Sequence, residues 1–333
     1  MPILFKRMTR KCIAPVIAMI VFLMLSAAIT EGAEFSQWLD SLREEAVARG
    51  ISEKTLDRAL AGLEPMQRVI ELDRNQPESK ITFWQYMKLM VTDSRIAKGR
   101  MLLHEHRDLL ESVKDRYGVQ PRFLVAIWGM ETNFGSYLGS FPIIQAVATL
   151  AYDERRSEFF RAELLNALQI LDEGHIDISE MQGSWAGAMG QVQFMPSTFI
   201  SFAVDEDGDG RQDIWRSLPD VFASAANFIS SYGWNDEYTW GRKVKVPGDM
   251  PQSLYGMNIE RPLSEWQASG VRRMNGDDLP KVNITASLIQ PAGEKGLSYL
   301  VYQNYRAMMR WNRSHFYALA VCHLADRLAG KGT

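Results

Sequence analysis

Cysteine is nearly missing from this sequence: among 333 residues only Cys12 and Cys322 carry a thiol. Cys12 precedes the first apolar run instead of following it, so it is out of place for the acylated cysteine of a bacterial lipoprotein. With the N-terminal segment removed, Cys322 has no partner for a disulfide, and stability must come from a buried core. Cys322 lies in the apolar stretch Phe316 to Leu324 and reads as a buried structural thiol. Histidine is scarce as well. The close pair His104 and His106 is spaced i, i+2, which turns the rings to different helix faces and argues against a histidine metal site. An excess of base is also lacking: 37 Lys and Arg stand against 40 Asp and Glu. Four of those bases, Lys6, Arg7, Arg10 and Lys11, sit in the acid-free segment 1–30, so the remainder is acidic and argues against nucleic acid as a partner. Repeats and low-complexity tracts are missing. What is present, 46% hydrophobic and 23% charged residues, suffices for a well-buried core spread over more than one lobe and excludes disorder.

Long apolar runs are missing with one exception. A basic start, the run Ile13 to Leu25 interrupted by Pro15, and the small residues Ser26, Ala27 and Ala28 are the three parts of an export signal, so 1–30 is expected to be a removed signal peptide. An uncleaved anchor is the alternative, because the run continued to Ile29 falls only slightly short of the ~20 residues that span a bilayer. Either way the rest of the chain is expected outside the cytoplasm.

Beyond residue 30, helical patterns dominate. Gly50 separates two of them, one with Ser36 as cap and Trp38, Leu39 and Leu42 as its stripe, the other with Ser52 as cap and Leu56, Leu60 and Leu63. A further helix is expected from Ala97 to Tyr117. Gly118 ends it, and Pro121 opens the next, which runs to Glu131. From Asp236 to Gly296 the chain turns to short β-prone runs, Lys243 to Val246 and Val282 to Thr285, among many Pro and Gly residues. Helical patterning is expected to resume from Ser298 to Leu328 and to pack back onto the first helices, which would make the main domain discontinuous.

On the helix opened by Pro121, Leu124, Ile127 or Trp128, and Glu131 share one stripe, so the carboxylate faces the interior or a cleft. Burial raises a carboxyl pKa, as a general acid near neutral pH requires. A helix-end glutamate pointing into water fits the local pattern too. The segment Gly183 to Ser197 mixes small residues, which let a ligand approach the backbone, with Ser184, Gln191 and Gln193 for sugar hydroxyls or amides and Trp185 and Phe194 for a sugar face. Alone it could equally be a tight packing loop. The run of Asp153, Glu154 and Glu158 with Arg155, Arg156 and Arg161 reads as a solvated helical face. The loop Asp205 to Asp213 places oxygen donors at positions 1, 3, 5 and 9 and glycine at 6 of an EF-hand calcium loop, but position 12 is Arg216 where that loop has a glutamate. An acidic surface turn is the alternative there.

Together these blocks resemble the B family of bacterial lytic murein transglycosylases. The resemblance rests on Trp128-Gly-Met-Glu-Thr-Asn-Phe-Gly135, the segment Ser184 to Ser197, the aspartate-rich loop, Ala226-Asn-Phe228 with Tyr232-Gly-Trp234, and Asn304-Tyr305 with Trp311-Asn312 and Tyr317, in the family's order from about Phe35 to Arg327. It implies a mainly α fold: a lysozyme-like helical core at 115–235 and 298–330, a helical companion domain at 34–114 joined by part of 142–180, and a small β-containing insertion at 236–297. It implies cleavage of the β-1,4 bond between N-acetylmuramic acid and N-acetylglucosamine. Glu131 would protonate the glycosidic oxygen, the substrate's 2-acetamido oxygen would stabilise the cationic centre, and Glu131 would then take the proton of the C6 hydroxyl, leaving a 1,6-anhydromuramyl end. Such a scheme fits the lack of a second essential carboxylate near Glu131, where ordinary glycosidases use a pair.

The resemblance places Ser184, Gln193, Asn312 and Tyr317 among glycan-contacting positions. Phe228 and Trp311 stand where tyrosines are expected, keeping an aromatic face and losing a hydroxyl. It lengthens the acidic loop so that Asp220 supplies the final carboxylate, giving calcium the ligands Asp205, Asp207, Asp209, the Arg211 carbonyl and Asp220. No organic cofactor is implied. The implied location is the periplasm, and the implied partners are peptidoglycan glycan strands, with cell-wall synthesis or division proteins beside them. The rivals are a hydrolytic muramidase and a non-catalytic peptidoglycan-binding protein.

Overall fold

The computed structural model describes residues 33–75, 81–293 and 296–330, so the expected signal peptide at 1–30 lies outside the described residues. Among the described residues no helix is long and apolar enough to cross a membrane. Helix α1 (33–48) ends at Gly50, whose φ of +92° turns the chain, and Ser52 caps α2 (Glu53–Ala59) by accepting from the Thr55 N–H. Because residues 33–35 are already helical, Ser36 lies inside α1 and does not cap it. Next come α3 (Gln67–Arg74), α4 (Phe83–Met90), α5 (Asp93–Glu105) and α6 (Arg107–Tyr117). The single helix expected from Ala97 to Tyr117 breaks at His106, which leaves helical geometry (φ −100°, ψ 24°) and sets its ring against Trp128 and Phe222.

Gly118 closes α6 in the left-handed conformation and Pro121 opens α7 (Pro121–Thr132), as expected. α7 is buried from Phe123 through Met130, so the expected stripe is part of a helix covered on all sides. Beyond it lie the two-stranded pair β1 (Phe141–Pro142) and β2 (Gln182–Gly183), and between those strands α8 (Ile143–Tyr152) and α9 (Ser157–Asp172). α10 (Pro196–Phe202) and α11 (Leu218–Ser231) come next.

The lobes divide differently from the expected boundary at 114. α2 packs on α9 and α3 on α8, whereas α4 and α5 pack on α14 (His315–Leu328), α5 on α7, and α6 on α11. Residues 83–117 therefore belong with the core that surrounds α7. The companion layer is α1 to α3 with α8 and α9. One continuous buried cluster joins both layers, including Leu56 and Val69 on one side and Leu102, Leu110 and Val113 on the other.

The β insertion is a five-stranded antiparallel sheet in the order β4 (Arg261–Pro262), β6 (Thr285–Ile289), β7 (Ser298–Val301), β3 (Gly241–Lys245), β5 (Arg272–Arg273), with α12 (Leu263–Ala268) against it. Strand alternation gives its faces to two cores. Ile289, Tyr299 and Val301 join the helical core, while Ala286, Leu288, Leu300 and Tyr302 join a second cluster with Val244, Leu263 and Trp266. With both faces covered, β7 is a wholly buried run. Ser298 to Val301 is thus the sheet's inner strand and not the start of a helix, and the insertion ends at 301 instead of 297. Helix resumes with α13 (Gln303–Trp311) and α14.

Candidate active site

Glu131 sits in the last turn of α7, where the chain leaves the helix through three left-handed residues, Asn133 (φ 51°), Phe134 (φ 61°) and Gly135 (φ 69°). For Phe134 that conformation costs on the order of 1 kcal/mol. Contacts around it hold it there. The Phe134 N–H bonds the Trp128 carbonyl at 3.1 Å, and its ring lies so close to Gly129 that a Cβ there would come within 2.6 Å of it. Lys98 of α5 donates to the Asn133 carbonyl at 3.1 Å and to the Ser136 hydroxyl at 2.8 Å. In the sequence Gly129 stands out only as part of the block Trp128 to Gly135 and nothing marks Lys98, because both act through contacts with the loop beyond the helix.

The segment 184–197 folds against that loop. A Cβ on Gly139 would lie 2.0 Å from the Gly183 carbonyl oxygen, so only glycine admits this approach. Gln193, itself left-handed (φ 51°), donates its amide to the Leu138 and Gly190 carbonyls at 3.0 Å each. Ser184 accepts from the Ala188 N–H at 2.9 Å and is half-buried, and its hydroxyl keeps a proton to give. Gln191 is not the sugar-facing amide expected. It is buried, with its Oε1 taking the Trp128 indole N–H at 2.7 Å, its Nε2 donating to the Trp215 carbonyl at 3.0 Å, and its own carbonyl accepting from the Thr132 hydroxyl at 2.8 Å. It ties α7 to the loop.

Two donors converge on Glu131 Oε1: the Trp311 indole N–H at 2.7 Å and the Tyr317 hydroxyl. Loss of hydration pushes the carboxyl up from its ordinary 4.5 to about 7, and the two hydrogen bonds, which favour the ionised form, only partly offset this. The same surroundings push the Tyr317 phenol well above its ordinary range, burial first and the Glu131 charge second. A second carboxylate is not among the causes of Glu131's shift. On α9, the buried Glu163 is occupied in capping α10, accepting from the Ser197 N–H at 2.8 Å and hydroxyl at 2.6 Å. Nor are the basic residues nearby merely solvated: Arg155 and Arg156 both pair with the buried Asp73, and Arg161 with Glu45.

The aromatic positions part company. Trp311 is half-buried, and its N–H restores a hydrogen bond where loss of one was expected. Phe228 is 7% exposed and packed among Phe194, Phe202, Tyr232 and Trp311, which leaves little of its face for a sugar. Asn312 is exposed, with its Oδ1 accepting from the Ser314 N–H at 3.0 Å.

In the acidic loop, the carboxylates that come together among the described residues are Asp205, Asp207 and Asp209, with ligand oxygens within 4.8 Å of one another. Each also accepts backbone N–H groups of the loop. Asp220 is not with them. It is fully buried, and its oxygens take the N–H groups of Glu206 at 2.8 Å, Asp207 at 3.4 Å and Asp213 at 2.7 Å, so it braces the loop from beneath. Asp213, at position 9, turns to Arg216 at 3.0 Å. The remaining donor set is hard oxygen, which suits calcium.

The family model for the transglycosylase SLT domain matches residues 34–326, a span that holds Glu131, both of its donors and the acidic loop. This chain belongs to the transglycosylase SLT family. Among the proteins it resembles, membrane-bound lytic murein transglycosylase B of Escherichia coli (strain K12) is 30% identical over 294 residues, 84% of this chain and 79% of the relative. SltB3 of Pseudomonas aeruginosa, crystallised in complex with NAG-anhNAM-pentapeptide, is 46% identical with a TM-score of 0.87, covering 90% of this chain and 80% of that one. Slt35 of Escherichia coli, solved in complex with calcium, is 28% identical with a TM-score of 0.75 over 89% of this chain and 92% of that one. The fold of this transglycosylase SLT chain is accordingly the lysozyme-like one expected.

Proposed function

We propose that this chain is a peptidoglycan lytic transglycosylase that cleaves the β-1,4 bond between N-acetylmuramic acid and N-acetylglucosamine and leaves a 1,6-anhydromuramyl end. The observation that carries this reading is the Glu131 carboxyl: desolvated, raised to about 7, and without a carboxylate among the groups that set its protonation. A carboxyl near 7 is protonated often enough to deliver a proton and ionised easily enough to take one back. The lack of a carboxylate partner disfavours the water-activating chemistry of a two-acid muramidase. The complex of SltB3 with an anhydro-muropeptide supports the same product. Ser184, Gln193 and Asn312 belong to this reading as polar contacts for the glycan. Trp311 and Tyr317 act first on Glu131.

Calcium belongs to the proposal as a structural ion held by Asp205, Asp207, Asp209 and the Arg211 carbonyl, where it would neutralise carboxylates that otherwise repel. An exported, periplasmic location follows from the N-terminal segment and from a substrate that lies outside the cytoplasm. Glu131→Gln tests the reading. The amide keeps the shape and cannot deliver a proton, so release of anhydromuramyl products from purified sacculi should fall by ~10⁴-fold or more while circular dichroism and sacculus pull-down stay unchanged. A folded variant with a tenth of the original turnover would remove Glu131 from the chemistry. Products heavier by one water would replace the transglycosylase with a muramidase.

A further inference from the structure

We infer that Trp311 is a positioning residue that decides which oxygen of the Glu131 carboxyl carries the proton, and that this oxygen is Oε2. The inference rests on the reading of Glu131 as acid and base and adds the atom. Oε1 receives both donors, the Trp311 N–H at 2.7 Å and the Tyr317 hydroxyl. Tyr317 alone would leave the choice open, because a phenol can donate or accept and a neutral carboxyl could turn its own O–H toward it. An indole N–H can only donate. A proton on Oε1 would occupy a lone pair of the oxygen that must also accept the indole hydrogen, and would weaken that bond, so the neutral carboxyl carries its proton on Oε2, the oxygen that neither donor occupies. Trp311 stands where the family resemblance leads one to expect a tyrosine, so this chain has a one-way donor in place of a two-way group.

The indole is held firmly enough to do this. Trp311 is the last residue of α13, and its ring packs on Phe194 at 5.3 Å and Phe228 at 5.0 Å between centroids, both of them buried. Few other groups bear on the carboxyl. Tyr317 of α14 touches it, with Tyr86 of α4 and Cys322 of α14 acting on Tyr317 from behind. Lys98 of α5 is engaged with Asn133 and Ser136, His106 between α5 and α6 lies against Trp128, and α11 presents Phe222 and Phe228.

The proton then makes a closed circuit through one atom. As the C1–O bond of the glycoside breaks, its electron pair goes to the leaving oxygen, which takes the proton from Oε2. As the C6 oxygen bonds to C1, the C6 hydroxyl proton returns to Oε2. No water or co-reactant is consumed. Between the two steps the charge left on the carboxylate is stabilised at Oε1 by donors already in place.

Two measurements test this on the full chain. With 5-fluorotryptophan placed at position 311 alone, the fluorine resonance should titrate with a midpoint near 7, the value to which the carboxyl is raised, and the titration should vanish in Glu131→Gln. A resonance that stays flat between pH 5 and 9 would overturn the inference. Trp311→Phe keeps an aromatic ring in the cluster and removes the N–H. The alkaline limb of kcat against pH should move up by about one unit, since a hydrogen bond favouring the ionised form is gone, and kcat should drop about tenfold with KM within about twofold. Trp311→Tyr should bring the limb part of the way back. An unmoved limb with unchanged kcat in Trp311→Phe would make the indole mere filler. If Trp311→Phe does not fold, the fluorine titration decides alone. It also separates the two readings, because turnover by Glu131→Gln would sink the proposed function while the titration still reports the contact between the indole and the carboxyl.

Discussion

The Glu131 carboxyl and the Asp205 to Asp213 loop are two acidic regions built on opposite terms. Glu131 stands alone, half-buried and touched by two neutral donors, and loss of hydration raises its carboxyl to about 7. The loop crowds Asp205, Asp207 and Asp209 within 4.8 Å and surrounds them with backbone N–H groups. Asp220, buried beneath the loop, lies between these cases: burial raises its carboxyl while three backbone N–H groups pull it down. Desolvation with few donors makes an acid that changes state during a reaction. At Asp220 the backbone donors temper desolvation without cancelling it, and the carboxyl is still raised.

That contrast can be broken most severely at Tyr317. Removing its hydroxyl in Tyr317→Phe takes a donor from Oε1 and loosens the carboxyl's placement, and kcat on sacculi should fall roughly 10- to 100-fold with the fold intact by circular dichroism. Unchanged kcat would show that the Trp311 N–H alone suffices. A smaller effect appears in stability. A carboxyl whose folded pKa, about 7, lies above its ordinary 4.5 holds its proton more tightly when folded. It therefore costs nothing below about 4.5, and stability is lost as pH rises through the interval to 7. Glu131→Gln removes that cost, so it should be more stable than the original chain at pH 8 by ~1–3 kcal/mol and equal to it at pH 4, read by urea denaturation at both. An equal gain at both pH values would mean packing, not charge, is responsible. The loop predicts the smallest effect. Millimolar calcium should raise the melting temperature by a few degrees over EDTA, with little change in kcat, because an ion bound only by the folded state adds stability as its concentration exceeds Kd. An Asp205→Asn variant should lose that difference, and identical melting curves with and without EDTA would remove the ion.

Much of the frame is legible in the order of residues. Gly118 and Pro121 bracket the start of α7, the apolar spacing carries Glu131 to a half-buried place at the end of the buried run, and Gly50 with Ser52 marks the break between α1 and α2. These are local signals, satisfied within a turn or two. Features that depend on distant docking are not legible in this way. Trp311 meets Glu131 across 180 residues, and nothing near either residue announces that an indole will end on that oxygen. Gln191 reads as free because its partners Trp128, Thr132 and Trp215 come from other segments. Ser298 to Val301 passes for helix because a strand buried on both faces loses the alternation that would mark it. In the stretch from Ala97 to Tyr117 the apolar positions Leu102, Leu110 and Val113 are buried and Leu103 and Leu109 are half-buried, but which lobe they serve is decided by α11 and α14, far along the chain.

Because the sheet inserts between α11 and α13, the two groups that grip Glu131 are carried by helices that lie beyond it in the chain. A nascent chain that has delivered α7 but not residues 303–328 possesses the glutamate and neither of its donors. Glu131, Trp311 and Tyr317 are assembled together only once α13 and α14 have arrived, so a chain that has not yet delivered them carries a blade without a handle. For a protein whose proposed substrate is the cell wall, the order of the helices delays a fully gripped Glu131 until α13 and α14 have emerged.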